Sequence, residues 1–157
     1  MELEIEHKYL VDKDIWSQQT PEQSIEIKQF YIVVQDRKVV RVRQRGDVGY
    51  LTIKNALSLS VKQEYEYEIP LQDVQSIIDD FGWPVIDKTR HIIDYKGMIR
   101  EVDEFHGNND WLITAEIELI SENQSYEAPP RAIKNLTWDR RYTNSYLAEH
   151  PYTTRDI

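Results

Sequence analysis

In ELEIEHKYLV, residues 2–11, charged and apolar side chains alternate from the first position. Successive side chains of a strand point to opposite sides, so Leu3 and Ile5 share one face, and Glu4 and Glu6 share the other. The first face is apolar, as in any half-buried strand. The second face is charged, and its charges have the same sign at two successive positions. This combination predicts a strand with an unusual, strongly charged side.

The same alternation recurs in six later segments, and like charges share a face at Arg41 and Arg43, at Glu64, Glu66 and Glu68, at Lys88 and Arg90, and at Glu116 and Glu118. For a single strand, a solvated outer face is the usual explanation. Like charges two residues apart repel, however, and a face toward water does not require them in strand after strand. We therefore interpret these faces as the lining of a closed sheet. The predicted lining comprises the acids Glu4, Glu6, Glu64, Glu66, Glu68, Glu116 and Glu118 and the bases Lys8, Arg41, Arg43, Lys54, Lys88 and Arg90.

Turn signals separate the strand segments at residues 45–49, 94–97 and 107–110. The short spacing around the last two predicts hairpins, and hence antiparallel pairing. Helical spacing of apolar residues predicts a helix over residues 71–82 that ends at its glycine. Residues 14–19 are expected to form a short helix. These elements, with no linker or repeat between them, predict one α+β domain, mainly antiparallel β, over residues 1–157.

A last helix is predicted to begin near Thr143 and to end before Pro151.

Composition limits the kinds of metal site that the chain could form. The 157-residue chain has no cysteine, which excludes disulfides and thiolate metal sites, and its four histidines lack zinc-ligand spacing. Any bound metal is therefore expected to be a hard cation on carboxylates, such as Mg²⁺ or Mn²⁺.

Charge and hydropathy predict the partners and the location. The net charge of −9 argues against nucleic acid as a main partner. A small polyanion in a local basic cleft is still compatible with it, because focusing depends on where the charges lie. No apolar run approaches membrane-spanning length, and the first residues are acidic where a signal peptide would be basic. We therefore expect a cytoplasmic protein without a membrane partner.

The two signs of the predicted lining indicate one kind of ligand. Guanidinium and ammonium groups bind phosphate oxygens, arginine through paired donors and lysine as a point charge. Clustered carboxylates repel one another unless a divalent cation lies between them. Both sets in one cavity indicate a phosphate chain that is bridged to the protein through metal.

At this point the motifs resemble those of the CYTH superfamily, the triphosphate tunnel metalloenzymes. The resemblance begins with the ExExK pattern of residues 4–8 and extends to about residue 151, which is almost the whole chain. The order of the later motifs makes it specific. They are Arg41-Val42-Arg43, Thr52-Ile53-Lys54, residues 64–70 (EYEYEIP), Lys88-Thr89-Arg90, residues 102–107 (VDEFHG), residues 115–119 (AEIEL) and residues 139–145 (DRRYTNS).

The resemblance implies an eight-stranded antiparallel β-barrel tunnel with helices packed outside. It also implies that triphosphate lies on the basic residues and Mg²⁺ or Mn²⁺ on the acidic ones. Members of the family include inorganic tripolyphosphatases, thiamine-triphosphatases and a class of adenylate cyclases, and they are often dimers. Compact chains with this motif set most resemble the tripolyphosphatases. We therefore expect a metal-dependent hydrolase that cleaves the terminal phosphate of a triphosphate compound, and a possible homodimer.

Each residue of the lining has an expected role in this hydrolysis, in which a metal-positioned water attacks the terminal phosphorus in line. One carboxylate would accept the proton of that water, and the sequence does not select it. Lys8 would contact phosphate or hold neighbouring carboxylates, whereas Glu68 is expected to be structural. The phosphate ligands are Arg41, Arg43, Lys54, Lys88 and Arg90, the metal ligands are Glu4, Glu6, Glu64, Glu66, Glu116 and Glu118, and the catalytic candidates are Lys8, Glu4 and Glu6.

Two other functions remain open at this stage. With the same site, attack by the 3′-hydroxyl of ATP would make the protein an adenylate cyclase. Without catalysis, it would be a module that binds polyphosphate or nucleotide. Asp103 is expected to be structural or to contact a basic residue, and Asp139, Arg140 and Tyr142 are expected near one end of the tunnel. The departures from the family pattern, which leave the tunnel mouth and the substrate open, are Phe30, Lys62, Arg131 and Asn135.

Overall fold

The computed structural model describes residues 1–17, 19–129 and 132–154. Within these ranges the chain is built mainly from strands, with short helices between them. The helices are α1 (Lys13–Trp16), α2 (Leu71–Phe81) and α3 (Asn144–Glu149). The strands are β1 (Glu2–Val11), β2 (Gln23–Gln35), β3 (Lys38–Arg45), β4 (Val48–Ala56), β5 (Val61–Ile69), β6 (Val85–Tyr95), β7 (Met98–Phe105), β8 (Ile113–Leu119) and β9 (Ala132–Asn135).

The strands close into a barrel through β1. The paired strands follow the order β5-β4-β3-β2-β6-β7-β8-β1. Because β1 also pairs with β5, these eight strands form a closed ring. Every one of these pairs is antiparallel. The first half of β1 pairs with β5, and its end pairs with the short β9. The predicted eight-stranded antiparallel barrel is confirmed.

The alternation pattern missed β2, although this strand of 13 residues pairs with both β3 and β6. The side chains of Ile25, Ile27, Gln29 and Tyr31 are buried on one face of β2, and Phe30 is buried on the other. Apolar residues on both faces remove the alternation of charge by which the other strands were recognised. Strand β9, only four residues long, was also not predicted.

The predicted turns and the long helix are confirmed. Lys96 and Gly97 connect β6 to β7 with φ of 52° and 80°, the left-handed pair that suits a two-residue hairpin. Helix α2 ends at Gly82, which has φ of 70° and donates its N–H to Ile78 O at 2.8 Å. Helix α1 begins one residue earlier than predicted and ends at Trp16, whereas Gln18 of the predicted helix lies outside the described residues.

Helix α3 begins after Thr143, as predicted, with the Thr143 side chain accepting the N–H of Tyr146. Its position differs from the predicted outer layer. Leu147 and Ala148 of α3 pack in one cluster with Leu112, just before β8, and with three residues of the barrel strands, which are Tyr31, Ile86 and Phe105. Ile86 lies on the inner face of β6, the same face as Arg90. This apolar cluster therefore fills part of the barrel interior. The lumen is therefore charged over only part of its length.

Helix α2 does pack outside, where Val74 contacts Phe30 and Val42. The outer face of β1 and β5 is not covered in the same way at Leu3 and Tyr67, because Leu3 is 53% exposed and Tyr67 is 56% exposed. The expectation that helices cover the apolar outer face is therefore wrong for these strands. No helix of the described ranges is both long enough and apolar enough to cross a membrane.

The close approach of α2 to β4 depends on Gly49. A Cβ at Gly49 would lie 2.8 Å from Ile69 O and 2.9 Å from Val74 Cγ2. We expect Gly49→Ala to lower the free energy of unfolding by about 1–3 kcal/mol, because the backbone contact cannot yield. Urea unfolding measures it. Gly82→Ala is the matched control, since a Cβ there meets nothing within 4 Å and only its positive φ causes strain. Stability of Gly49→Ala equal to that of the parent would contradict this contact.

Candidate functional site

The inner faces of the strands surround a cavity of about 870 Å³. Strand register explains which side chains meet there, because residues opposite each other on paired strands point to the same side. Arg41 lies opposite Thr52, and Thr52 lies opposite Glu66. Of the residues predicted to line the lumen, all reach the cavity wall except Glu68 and Lys88. The structure therefore brings together side chains that are more than 100 positions apart in the sequence.

One wall of the cavity joins Lys54 to two carboxylates. Its Nζ lies 2.9 Å from Glu4 Oε2 and 3.1 Å from Glu64 Oε2. Burial acts to raise the pKa of Glu4, but the charge and hydrogen bond of Lys54 outweigh it, and the pKa falls to about 2. Glu66, on the same strand as Glu64, accepts a hydrogen bond from Thr52 at 3.0 Å. On this wall, Glu4 and Glu64 therefore pair with Lys54, and Glu66 is bound by Thr52.

A second group of acids lies beside the first. Lys8 Nζ is 3.2 Å from Glu116 Oε1 and donates to Tyr142 O at 3.0 Å. Lys62 Nζ is 3.7 Å from Glu6 Oε1. Burial and the neighbouring Glu116 and Glu4 raise the pKa of Glu6 to about 8. Burial acts to raise the pKa of Glu116 as well, but Lys8 and Arg90 bring it well below the ordinary value. The group therefore has too much negative charge for all of its members to ionise together.

The acids suit a hard divalent cation by their chemistry. Carboxylate oxygens are the preferred ligands of Mg²⁺ and Mn²⁺, and mutual repulsion of the kind seen at Glu6 is what a cation relieves. In the described ranges, however, no three acidic or histidine side chains already form a group that could hold an ion. Lys54 and Lys62 occupy part of the space between the carboxylates. Metal binding therefore requires some of these ion pairs to open.

The basic side of the cavity differs because its central charges lack partners. Arg41 is 4% exposed and Arg43 is 8% exposed, and within the described chain neither forms an ion pair. Arg43 Nε donates to Gln29 Oε1 at 2.9 Å, and Gln29 Nε2 donates to Tyr31 Oη at 2.7 Å. Arg41 Nε is buried without a partner. Burial and the adjacent Arg41 and Arg90 lower the pKa of Arg43 to about 10. Two adjacent, largely buried guanidinium groups without an ion pair are suited to binding an anion in the cavity.

Asp103 balances the other two bases. It accepts from Arg90 Nε at 2.8 Å and from Arg90 Nη2 at 2.9 Å, and it also accepts from Lys88 Nζ at 2.8 Å. Lys88 donates in addition to Asn144 Oδ1 at 2.9 Å and is completely buried. Burial, with Arg90 and Arg43, lowers the pKa of Lys88 to about 7 against the opposing charge of Asp103. Asp103 therefore contacts basic residues, as expected, whereas Lys88 is buried inside the barrel against Asn144 and does not line the cavity.

Sequence reasoning missed Glu101. This residue lines the cavity, forms an ion pair with Arg90 Nη1 and lies opposite Glu116 in the β7–β8 register. Its signal was present in MIREVDEF, residues 98–105, where Glu101 alternates with Asp103 on one face. The family motif at Val102-Asp103 singled out Asp103 as a candidate and not Glu101.

The residues expected near the tunnel end take different positions. Arg140 lines the cavity. Asp139 instead accepts from the Arg141 guanidinium at 2.7 Å, and Tyr142 packs against the apolar cluster of α3. Among the departures from the family pattern, Lys62 lies in the cavity. Phe30 stacks on Phe81 outside the barrel at 5.4 Å between ring centroids, Asn135 accepts the N–H of Thr137, and Arg131 lies outside the described residues.

Comparisons with known proteins agree with this geometry. The chain is 39% identical over 150 residues to an inorganic triphosphatase of Acetivibrio thermocellus, with 95% of both chains covered. It is 30% identical over 158 residues to an inorganic triphosphatase of Nitrosomonas europaea, with 92% of this chain and 96% of the other covered. A crystal structure of an inorganic triphosphatase matches with a TM-score of 0.67 and 29% identity, over 94% of this chain and 95% of that one. The model of the CYTH domain matches residues 2–147, and the chain belongs to the CYTH domain family.

Proposed function

We propose that residues 1–157 form a single domain that acts as a divalent-metal-dependent triphosphatase. It cleaves the terminal phosphate of inorganic triphosphate, or of a related triphosphate compound, inside the barrel cavity. The observation that carries this proposal is the pair of buried guanidinium groups, Arg41 and Arg43, which face the same cavity as the carboxylates and have no anionic partner in the described chain. The inorganic triphosphatases at 39% and 30% identity support the same activity.

The basic residues have different roles in binding the phosphate chain. Arg41 and Arg43 are already desolvated and lack ion pairs, so their donors are available to phosphate oxygens. Arg90 and Lys54 also face the cavity but are shared with carboxylates, and they would bind phosphate while keeping those partners. Lys88 is buried inside the barrel, where it holds Asp103, and we assign it this supporting role in place of the direct phosphate contact expected from the sequence.

The metal ligands are proposed to come from the acids that share the cavity. A bound Mg²⁺ or Mn²⁺ would neutralise phosphate charge and polarise the phosphoryl oxygens. Before binding, Lys54 pairs with Glu4 and Glu64, and Lys62 pairs with Glu6. Lys8 pairs with Glu116 and also donates to Tyr142 O, so it keeps Glu116 in place. The proposed ligands are Glu4, Glu6, Glu64, Glu66, Glu116 and Glu118.

The hydrolysis itself follows from these positions. The oxygen of a water molecule bonds to the terminal phosphorus while the bridging P–O bond breaks, and diphosphate leaves with the electron pair of that bond. One of the clustered carboxylates, with Glu4 and Glu6 as candidates, accepts the proton of the water. Arg41, Arg43 and Arg90 stabilise the charge that develops on the phosphoryl oxygens, so the catalysis is largely electrostatic.

Phosphate release from tripolyphosphate, ATP and thiamine triphosphate tests the proposal. We expect turnover with Mg²⁺ or Mn²⁺, fastest on tripolyphosphate, because the relatives at 39% and 30% identity are inorganic triphosphatases. A chelator should abolish the turnover, and excess metal should restore it. The comparison of the two ions determines which is preferred. A folded protein that releases no phosphate from any substrate in the presence of metal would contradict the hydrolase proposal.

Product analysis separates the remaining alternatives. Cyclic AMP from ATP would indicate a cyclase, and ligand binding without any turnover would indicate a binding module. A cytoplasmic location, a main partner other than nucleic acid and a possible homodimer stay predictions from the sequence. Size-exclusion chromatography with light scattering tests the dimer.

A further inference from the structure

Lys62 lines the central cavity and is one of the departures from the family pattern, but it has no role yet in the proposed hydrolysis. Its Nζ lies 3.7 Å from Glu6 Oε1, an ion-pair distance that is longer than a hydrogen bond. Lys54 Nζ, in contrast, lies 2.9 Å from Glu4 Oε2 and 3.1 Å from Glu64 Oε2. The ion pair of Lys62 is therefore easier to open than those of Lys54.

Lys8 is also held more firmly than Lys62. Its Nζ lies 3.2 Å from Glu116 Oε1 and donates to Tyr142 O at 3.0 Å, so it has two contacts within bonding distance. The Lys62 side chain is 20% exposed, compared with 14% for Lys54 and 12% for Lys8. Since Lys62 has the longer contact and the greater exposure, its ammonium group can leave its carboxylate at the lowest cost.

The charge of Lys62 acts on more than one acid. In the β1–β5 register Lys62 lies opposite Glu4, and it shares the inner face of β5 with Glu64. Burial acts to raise the pKa of Glu4 and of Glu6, and the charge of Lys62 opposes this at both carboxylates. A single, loosely held ammonium group therefore neutralises part of the charge of two acids on β1.

Lys62 and a divalent cation would compete for the same carboxylate. Glu6 is one of the proposed metal ligands, and Lys62 now lies beside its Oε1. A cation bound by Glu6 would lie within a few ångströms of the ammonium group, and like charges at that distance repel each other. Because the divalent cation brings two positive charges to the acids in place of one, it can replace Lys62.

We propose that Lys62 is an exchangeable counter-ion of the acids in the cavity. It neutralises Glu6 while no metal is bound, and it moves away from Glu6 when Mg²⁺ or Mn²⁺ binds. Lys62 thereby controls the affinity for the metal without being one of its ligands. This inference rests on the proposed metal-dependent function and adds to it the residue that regulates metal binding.

The test measures the binding of Mn²⁺ alone to the full-length protein, without phosphate, from the EPR signal of the free ion. We expect Lys62→Gln to bind Mn²⁺ about tenfold more tightly than the parent, because a positive charge next to the metal is removed. Lys62→Arg should bind it about threefold or more weakly, since the planar guanidinium holds a carboxylate with paired donors. The two variants should therefore differ from the parent in opposite directions.

Two control variants locate the effect. Lys28→Gln removes a positive charge from the outer surface, where the Lys28 side chain is 55% exposed, and should change the affinity by less than about twofold. Adding Glu6→Gln to Lys62→Gln should remove most of the gain, because Lys62 acts through the Glu6 carboxylate.

Equal affinity for Mn²⁺ in Lys62→Gln and in the parent would overturn the inference, and so would an equal gain in Lys28→Gln or a lack of binding in both the parent and Lys62→Gln. Phosphate release from tripolyphosphate separates this failure from that of the proposed function. Turnover in the parent with equal Mn²⁺ affinity in Lys62→Gln would contradict only the role of Lys62. A folded parent that neither binds Mn²⁺ nor releases phosphate would contradict the proposed function itself.

Discussion

Replacing Arg41 by Gln is expected to reduce kcat/KM for tripolyphosphate by about a hundredfold to a thousandfold, the effect typical of losing one preorganised donor to a transition-state oxyanion. The same substitution should leave the free energy of unfolding unchanged or raise it. Arg41 is 4% exposed and has no ion pair in the described chain, so its charge destabilises the fold in the absence of ligand. Steady-state phosphate release and urea unfolding of the same preparation measure both effects.

The exposed Lys28 provides the control for this experiment. Its side chain lies on the outside at 55% exposure, 4.0 Å from Asp87, so Lys28→Gln removes a positive charge without touching the cavity. We expect its activity to stay within about twofold of the parent, because surface substitutions of this kind have small effects. Activity of Arg41→Gln as high as that of Lys28→Gln would refute the role of Arg41 in phosphate binding.

The largest expected change in stability comes from Asp103→Asn. The Asp103 carboxylate is completely buried and balances both Lys88 and Arg90, so the amide leaves two buried cations with one fewer charge to pair with. We expect a loss of about 3–5 kcal/mol in the free energy of unfolding, as found when one partner of a buried ion pair is removed. Urea unfolding with a shared m-value measures it.

Two further variants make this result specific to the buried network. Asp87→Asn removes a carboxylate that is 41% exposed and should change stability by less than about 0.5 kcal/mol. Adding Lys88→Met to Asp103→Asn removes one of the uncompensated cations and should recover part of the loss, because the two sites are coupled. If Asp103→Asn and Asp87→Asn lose equal stability, the network does not hold this part of the barrel together.

The basic residues of the barrel interior fall into two groups, one with its charge balanced by Asp103 and one without an ion pair. Asp103 satisfies Arg90 and Lys88, so that half of the basic wall is stable before any ligand binds. Arg41 and Arg43 form no ion pair in the described chain, and Arg41 Nε has no hydrogen-bond partner, so an anion is needed to balance the charge of this half. The protein thus gives up stability at the position where phosphate binding and transition-state stabilisation are needed.

The strands recognised by alternation and the helix α2 were predictable because their signals are local. Period-two alternation identifies a strand from a few consecutive residues, and Gly82 marks the end of a helix through its own backbone. Strand β2 escaped this reasoning because its two faces are both partly apolar. Helix α3 was found in the right place along the chain, but the sequence did not show that Leu147 and Ala148 would fill part of the lumen.

Within each recognised strand, the alternation of side chains shows which residues share a face. It therefore indicated most of the charges of the candidate site, although Glu101 and Arg140 were not recognised as part of the lining. How those charges combine follows from the tertiary structure. Lys54 pairs with Glu4, which is 50 positions away in the sequence, and Asp103 accepts a hydrogen bond from the buried Lys88. Arg41 Nε has no hydrogen-bond partner. The physical reason is that closure of β1 against β5 sets the distances between strands, and ion pairing depends on distance rather than on order along the chain.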